Sequence, residues 1–127
     1  VFLAYLIGKS YVGMRADDVQ SWTRFLRDFQ ATTRPNELRL FAQGQAAIPA
    51  LHAAALEAAA FQTVTLRNMV RSWEDIVSTP EPAQAADVVH GALRNYALSD
   101  LVEAMEGKVK IVEPVNVLGR ASVASSR

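Results

Sequence analysis

Residues 38–57, LRLFAQGQAAIPALHAAALE, constrain the fold more than any other part of the chain. An apolar, strand-like run at Leu38–Ala42 enters a turn of small residues at Gly44–Ala47. Pro49–Ala60 then has the pattern of an alanine-rich helix with proline in its first turn, and its small side chains allow it to lie close against a sheet. A strand that passes through a tight turn into a helix is typical of a parallel α/β sheet.

The rest of the chain continues this alternation of helix and strand. Phe61–Leu66 alternates apolar and polar residues and is rich in β-branched side chains, which favours a second strand, and Lys108–Val112 is predicted to be a third. The predicted helices are Val1–Phe29 with a bend at Gly8 or Gly13, a short helix within Arg67–Val77, Ala83–Tyr96, and Ser99–Met105 with Ser99 as N-cap and Gly107 at its end. The order predicts a three-layer α/β fold with a short parallel sheet flanked by helices, formed by residues 1–127 as a single domain or as the C-terminal fragment of one.

Composition limits the classes of partner and site. Acidic and basic residues balance at 13 each, so the charge points neither to nucleic acid nor to an anionic membrane surface. The chain has no cysteine, which excludes disulfides and thiolate metal sites, and no cofactor motif or metal-ligand spacing is found. The apolar run Val1–Ile7 is too short to span a bilayer and is interpreted as a helix packed in a core, with a secretory hydrophobic segment as the competing interpretation.

Five ordered segments resemble a known family. They are LIGKSYVGMRADDV, PALHAAALE, VTLRNMVRSWEDIV, VVHGALRNYALSDLVEAM and KVKIVEPVN. Together they resemble the C-terminal half of esterase-like α/β-hydrolases, the group of acetyl xylan esterases and dienelactone hydrolases. The resemblance covers nearly the whole chain and implies a partial α/β-hydrolase fold, with Leu38–Ala42 as the strand before the nucleophile and Pro49–Ala60 as the helix after it.

The resemblance also implies a vestigial nucleophile elbow. Its residues are Gly44, Gln45, Ala46 and Ala47. In the family's G-x-S-x-G pattern a serine stands on a sharp turn between strand and helix. If Gly44 takes the place of the first glycine, Ala46 falls where the serine stands and Ile48 falls where the second glycine stands. Alanine cannot attack a carbonyl, so the triad nucleophile is absent at this turn. The resemblance places the triad histidine one strand after the third, where this sequence offers none, so at most the acid is implied, at Glu113 after the third strand.

Two residues are candidates for catalytic chemistry. His52 is either a base near the turn or a histidine on a packed helix whose ring nitrogens find local partners, and helical spacing favours the packed histidine. Glu113 is either a displaced triad acid or a carboxylate at a strand end that faces water. His90 is expected to pair with Asp87, three residues earlier. Trp22 and Trp73 are interpreted as core or interface residues, with a sugar-binding platform as the alternative.

Three functions follow as hypotheses. The first is an esterase-like α/β-hydrolase segment that is not catalytic by itself. The second is a carboxylic-ester hydrolase that is active only when another chain completes its site. The third is an interaction or oligomerisation module, because a short parallel sheet leaves an unpaired edge at its first strand. This third hypothesis predicts self-association, or pairing with the missing half of the hydrolase fold.

Overall fold

The computed structural model describes residues 2–30, 38–78, 86–116, 118 and 120. The helices are α1 (Phe2–Leu6), α2 (Tyr11–Gln30), α3 (Ala47–Leu56), α4 (Trp73–Ser78), α5 (Ala92–Asn95) and α6 (Leu98–Ala104). The strands are β1 (Leu38–Gln43), β2 (Phe61–Arg67) and β3 (Val109–Val112). Single turns of 3-10 helix, at Gly44–Ala46 and Ala58–Ala60, flank α3. All three predicted strands are confirmed, and their ends differ from the predicted ones by at most one residue.

The three strands form one parallel sheet in chain order, with β2 in the centre. Leu40 of β1 lies opposite Val64 of β2, which lies opposite Val109 of β3. Two residues further along each strand, Ala42, Leu66 and Ile111 lie opposite one another on the same face. The predicted fold class is therefore confirmed, since a short parallel sheet flanked by helices forms a partial three-layer α/β fold.

The core lies between this sheet face and α3. Seven of the ten residues of α3 are buried, and Leu51 is fully buried. Helix α2 packs against α3, and its buried residues include Val12, Ala16 and Thr23. The Thr23 hydroxyl donates a hydrogen bond to the backbone carbonyl of Val19, four residues earlier, so this buried polar group is satisfied within its own helix.

The opposite face of the sheet is open. Its side chains alternate with the buried ones along each strand, as the strand period requires. Arg39, Phe41, Thr63, Arg67 and Lys110 are all exposed, and none of them belongs to the hydrophobic core. The three-layer fold is therefore partial, because among the described residues the helices cover one face of the sheet and leave this face open.

The side of α2 that faces the core is not the one that its sequence pattern favours. The pattern Val19–Trp22–Phe25–Leu26–Phe29 repeats apolar residues at three- and four-residue spacing, yet Trp22, Phe25 and Phe29 are 66%, 55% and 73% exposed. The buried side carries Val12, Ala16 and Thr23 instead, because small side chains let α2 approach the alanine-rich α3 closely. The predicted bend occurs at Gly8, which has a φ of 72° between α1 and α2, and Gly13 lies inside α2.

Two further helix predictions are wrong. The described part of the predicted helix Ala83–Tyr96 is helical only at Ala92–Asn95, because Gly91 takes a left-handed conformation (φ 77°) that interrupts an α-helix; residues 83–85 lie outside the described residues. Ser99 does not cap α6. The helix begins at Leu98, and the backbone N–H of Ala97 donates to the Asp100 carboxylate at 2.7 Å. Gly107 follows the helix with a φ of 80°, as a terminating glycine does.

Candidate functional site

The turn between β1 and α3 has the backbone of a sharp strand-to-helix connection. Gln43 is extended, Gly44 has a φ of 60°, and Ala46 has ordinary helical angles of −78° and −17°. A Cβ atom built on Gly44 would meet no atom within 4 Å. The single left-handed residue of this turn is therefore Gly44, and space is open where a side chain would project from it.

This geometry bears on where the predicted vestigial elbow would be placed. In a nucleophile elbow the strained residue of the turn carries the attacking side chain. The left-handed residue here is Gly44, two positions before Ala46. If Gly44 is instead placed at the serine position of G-x-S-x-G, the two glycine positions fall on Ala42 and Ala46, which are also small residues. With either alignment, no serine, threonine, cysteine or aspartate stands between Ala42 and Leu51.

Two charged residues that were not predicted as site residues are connected to this turn, Arg15 directly by a hydrogen bond and Asp87 through the charge of Arg15. Arg15 of α2 donates a hydrogen bond to the backbone carbonyl of Gln45 at 3.4 Å, and its guanidinium lies 5.6 Å from the centre of the Tyr11 ring. Asp87 is buried, and its Oδ1 atom has no hydrogen-bond partner among the described residues. Burial raises the pKa of the Asp87 carboxyl, and the positive charge of Arg15 opposes the rise.

The predicted pairing of Asp87 with His90 does not occur in the described structure. Because the segment before Gly91 is not helical, these residues lack the helical spacing that the pairing requires. The charge that acts on Asp87 is that of Arg15, which is distant in sequence. The available sequence signal was one aspartate within the apolar stretch AADVV, and it did not indicate a partner in α2.

His52 lies on α3 and both of its ring nitrogens are bonded. Nδ1 lies 2.8 Å from the carbonyl oxygen of Ile48, and Nε2 lies 2.8 Å from the hydroxyl of Tyr96. Since a carbonyl oxygen only accepts, Nδ1 carries the proton. Burial lowers the pKa of His52, with the Ile48 carbonyl acting in the opposite direction. In the neutral ring, Nε2 therefore accepts the hydrogen bond that the Tyr96 hydroxyl donates.

An aromatic cluster surrounds this histidine. The ring of Trp73 lies 5.9 Å from that of His52 and 6.0 Å from that of Tyr96. Trp73 is 3% exposed, so it belongs to the core, whereas Trp22 is exposed and does not. The cluster joins α3 and α4 to the residue that follows α5, which is the arrangement expected of a packed histidine.

Glu113 lies at the carboxyl end of β3, where the resemblance placed it. It has a φ of 47°, and its carboxylate pairs with the Arg67 guanidinium at 2.7 Å. The side chain is 61% exposed. The partners of His52 are Ile48 and Tyr96, so the described structure does not bring the two candidate residues together in a hydrogen bond or an ion pair.

Comparisons with known proteins do not assign this site. No protein-family model, curated protein or solved structure matches the chain. Within residues 2–30, 38–78 and 86–116, no group of three or more histidine, aspartate or glutamate side chains is placed to hold a metal ion. Among the helices of the same ranges, none is both long and apolar enough to cross a bilayer.

Proposed function

We propose that this chain is an esterase-like α/β-hydrolase segment that does not catalyse ester hydrolysis by itself. One observation carries the proposal. A parallel strand runs through a left-handed glycine into a helix, which is the backbone frame of a nucleophile elbow, and the turn offers no attacking side chain. Nucleophilic catalysis requires such a group within reach of a base.

The state of the other candidate residues supports the same proposal. The Nε2 lone pair of His52, which a general base would use, already accepts from Tyr96. The Glu113 carboxylate is exposed and paired with Arg67. Because His52 and Glu113 are each bonded to another residue, they do not act together as the base and acid of a triad. A second chain that completed a hydrolase site would have to rearrange both side chains.

Incubation of the purified chain with p-nitrophenyl acetate tests the proposal. We expect hydrolysis at the rate of the buffer, and no mass increase after treatment with a serine-directed fluorophosphonate. A His52→Gln variant is the matched control, because it removes the imidazole that could cause slow background hydrolysis. The proposal would be contradicted if the chain hydrolysed the ester faster than this control, and if that activity disappeared as one fluorophosphonate adduct formed per chain.

An interaction module is the second candidate function. It is supported by the open sheet face and by the exposed aromatic side chains of α2. Large exposed apolar patches mark sites where a protein contacts another molecule.

A further inference from the structure

The open face of the sheet requires a cover. Sheets that are entirely parallel occur almost only with both faces buried. Here Phe41 is 63% exposed in the middle of β1, and the face around it is basic. Arg39 and Lys110 are exposed on this face, whereas Arg67, at the end of the face, forms an ion pair with Glu113. A matching surface would combine apolar side chains with carboxylates.

Helix α2 carries a surface of that chemistry. We define the aromatic stripe as Asp18, Trp22, Phe25, Asp28 and Phe29, which share one side of the helix at three- and four-residue spacing. The ring of Trp22 meets that of Phe25 edge-on at 5.8 Å, and Phe25 stacks on Phe29 at 5.8 Å. All five residues are exposed.

The position of the stripe leaves it available to another molecule. The buried residues of α2 lie on the other side of the helix, where it packs against α3. Asp18, with Ser21, Trp22 and Phe25, also lines a shallow surface cleft of about 280 Å³. The stripe runs from residue 18 to residue 29, about 16 Å along the helix axis at 1.5 Å per residue. Three strands spaced about 4.8 Å apart span about 10 Å, so the stripe is long enough to cross the sheet.

We propose that the aromatic stripe of one copy of this chain covers the open sheet face of a second copy. The aromatic rings would pack on Phe41, and the carboxylates of Asp18 and Asp28 would face the charges of Arg39 and Lys110. The balance of 13 acidic and 13 basic residues leaves no net repulsion between copies. This contact differs from pairing at the edge of β1, because it buries side chains on a sheet face and adds no strand.

The contact joins two different surfaces, so it is heterologous. Such contacts form closed rings when the rotation between copies closes, and open chains when it does not. The proposal therefore predicts dimers or larger species whose size grows with concentration. It does not depend on the proposed lack of catalysis, which is tested by hydrolysis and not by association.

Light scattering of the 127-residue chain from about 5 to about 500 µM tests the proposal, because weak interfaces have dissociation constants in this range. In parallel, acrylamide quenching reports on Trp22, since Trp73 is buried in the protomer. We expect the average mass to rise with concentration, and the quenching of Trp22 to decrease as the stripe becomes covered. A monomer over the whole range, with quenching independent of concentration, would overturn the proposal.

Charge reversal identifies the surfaces. The double variants Arg39→Glu/Lys110→Glu and Asp18→Lys/Asp28→Lys should each weaken association by about tenfold or more, because each places like charges across the contact. An equimolar mixture of the two double variants should associate again, because the lysines on the stripe of one variant would face the glutamates on the sheet of the other. Arg94→Glu is the matched control, because it reverses an exposed charge outside both surfaces. Association that none of these changes affects, as edge pairing would show, would refute the assignment.

Discussion

The hydrogen bond between Tyr96 and His52 provides a quantitative test of the packed-histidine interpretation. The Tyr96→Phe variant keeps the ring that packs against Trp73 and removes only the hydroxyl, 2.8 Å from His52 Nε2. The Nε2 atom then remains in a largely buried site without a donor. Leaving a buried acceptor unsatisfied costs about 1–3 kcal/mol, and because His52 is partly accessible we expect about 1–2 kcal/mol in the free energy of unfolding.

This loss can be measured by urea and thermal unfolding, each monitored by circular dichroism. For a chain of this length, a loss of about 1–2 kcal/mol corresponds to a decrease of about 4–8 °C in Tm. Tyr11→Phe is the matched control, because Tyr11 contacts Arg15 through its ring. A double-mutant cycle with His52→Gln should give a coupling energy of about 0.5–2 kcal/mol. A Tyr96→Phe variant as stable as the wild type would refute the assigned bond.

The same variant changes the pH dependence of stability. Burial lowers the pKa of His52 in the folded chain below its ordinary value of 6.5, so the unfolded chain binds the proton first. The stability contributed by the neutral ring is therefore complete above pH 6.5 and is lost as the pH falls through the folded pKa. Since the Tyr96 hydroxyl stabilises the neutral ring, Tyr96→Phe should raise the His52 pKa and make this loss shallower. Titration of the ring by NMR measures the change, and an unaltered pKa would contradict it.

Substitutions at three further positions probe other parts of the fold. Leu51→Ala should lower the free energy of unfolding by about 3 kcal/mol in urea, because it opens a cavity around a fully buried side chain. Gly44→Ala should cost about 1–2 kcal/mol through its left-handed φ alone, since its Cβ meets no atom, and Gly44→Asn should cost less. Asp87→Asn should raise Tm at pH 7 by a few degrees. Burial raises the Asp87 pKa above its ordinary value of 3.8, so stability is lost as the pH rises from that value through the folded pKa, and the gain from asparagine should vanish at acidic pH.

Local patterns predicted the sheet well. Strands β1, β2 and β3 were predicted because each is a short run of apolar or β-branched residues bounded by turn residues, and these signals depend on the strand alone. The turn at Gly44 was predicted for the same reason. The packed state of His52 was also the favoured interpretation, although its partner Tyr96, 44 residues away, was not identifiable from spacing.

Features set by contacts between distant segments were not predicted. The apolar stripe of α2 was the stronger pattern, yet the fit of small side chains against α3 decided which side is buried. The left-handed Gly91 interrupted a helix whose apolar spacing continued on both sides of it. Asp87 was missed as a site residue because its burial and its relation to Arg15 arise only in the folded chain.

The sheet order β1–β2–β3 also has a consequence for folding during synthesis. β2 pairs with β1 and β3 pairs with β2, so neither of these two strands has to wait for a distant partner. The unit β1–α3–β2 can close as soon as residues 38–67 leave the ribosome, and β3 then adds to an existing template. Short sequence separation between paired strands favours rapid folding. Ribosome-bound chains that end after β2 should therefore already protect the amides of β2 from exchange, before β3 has been translated.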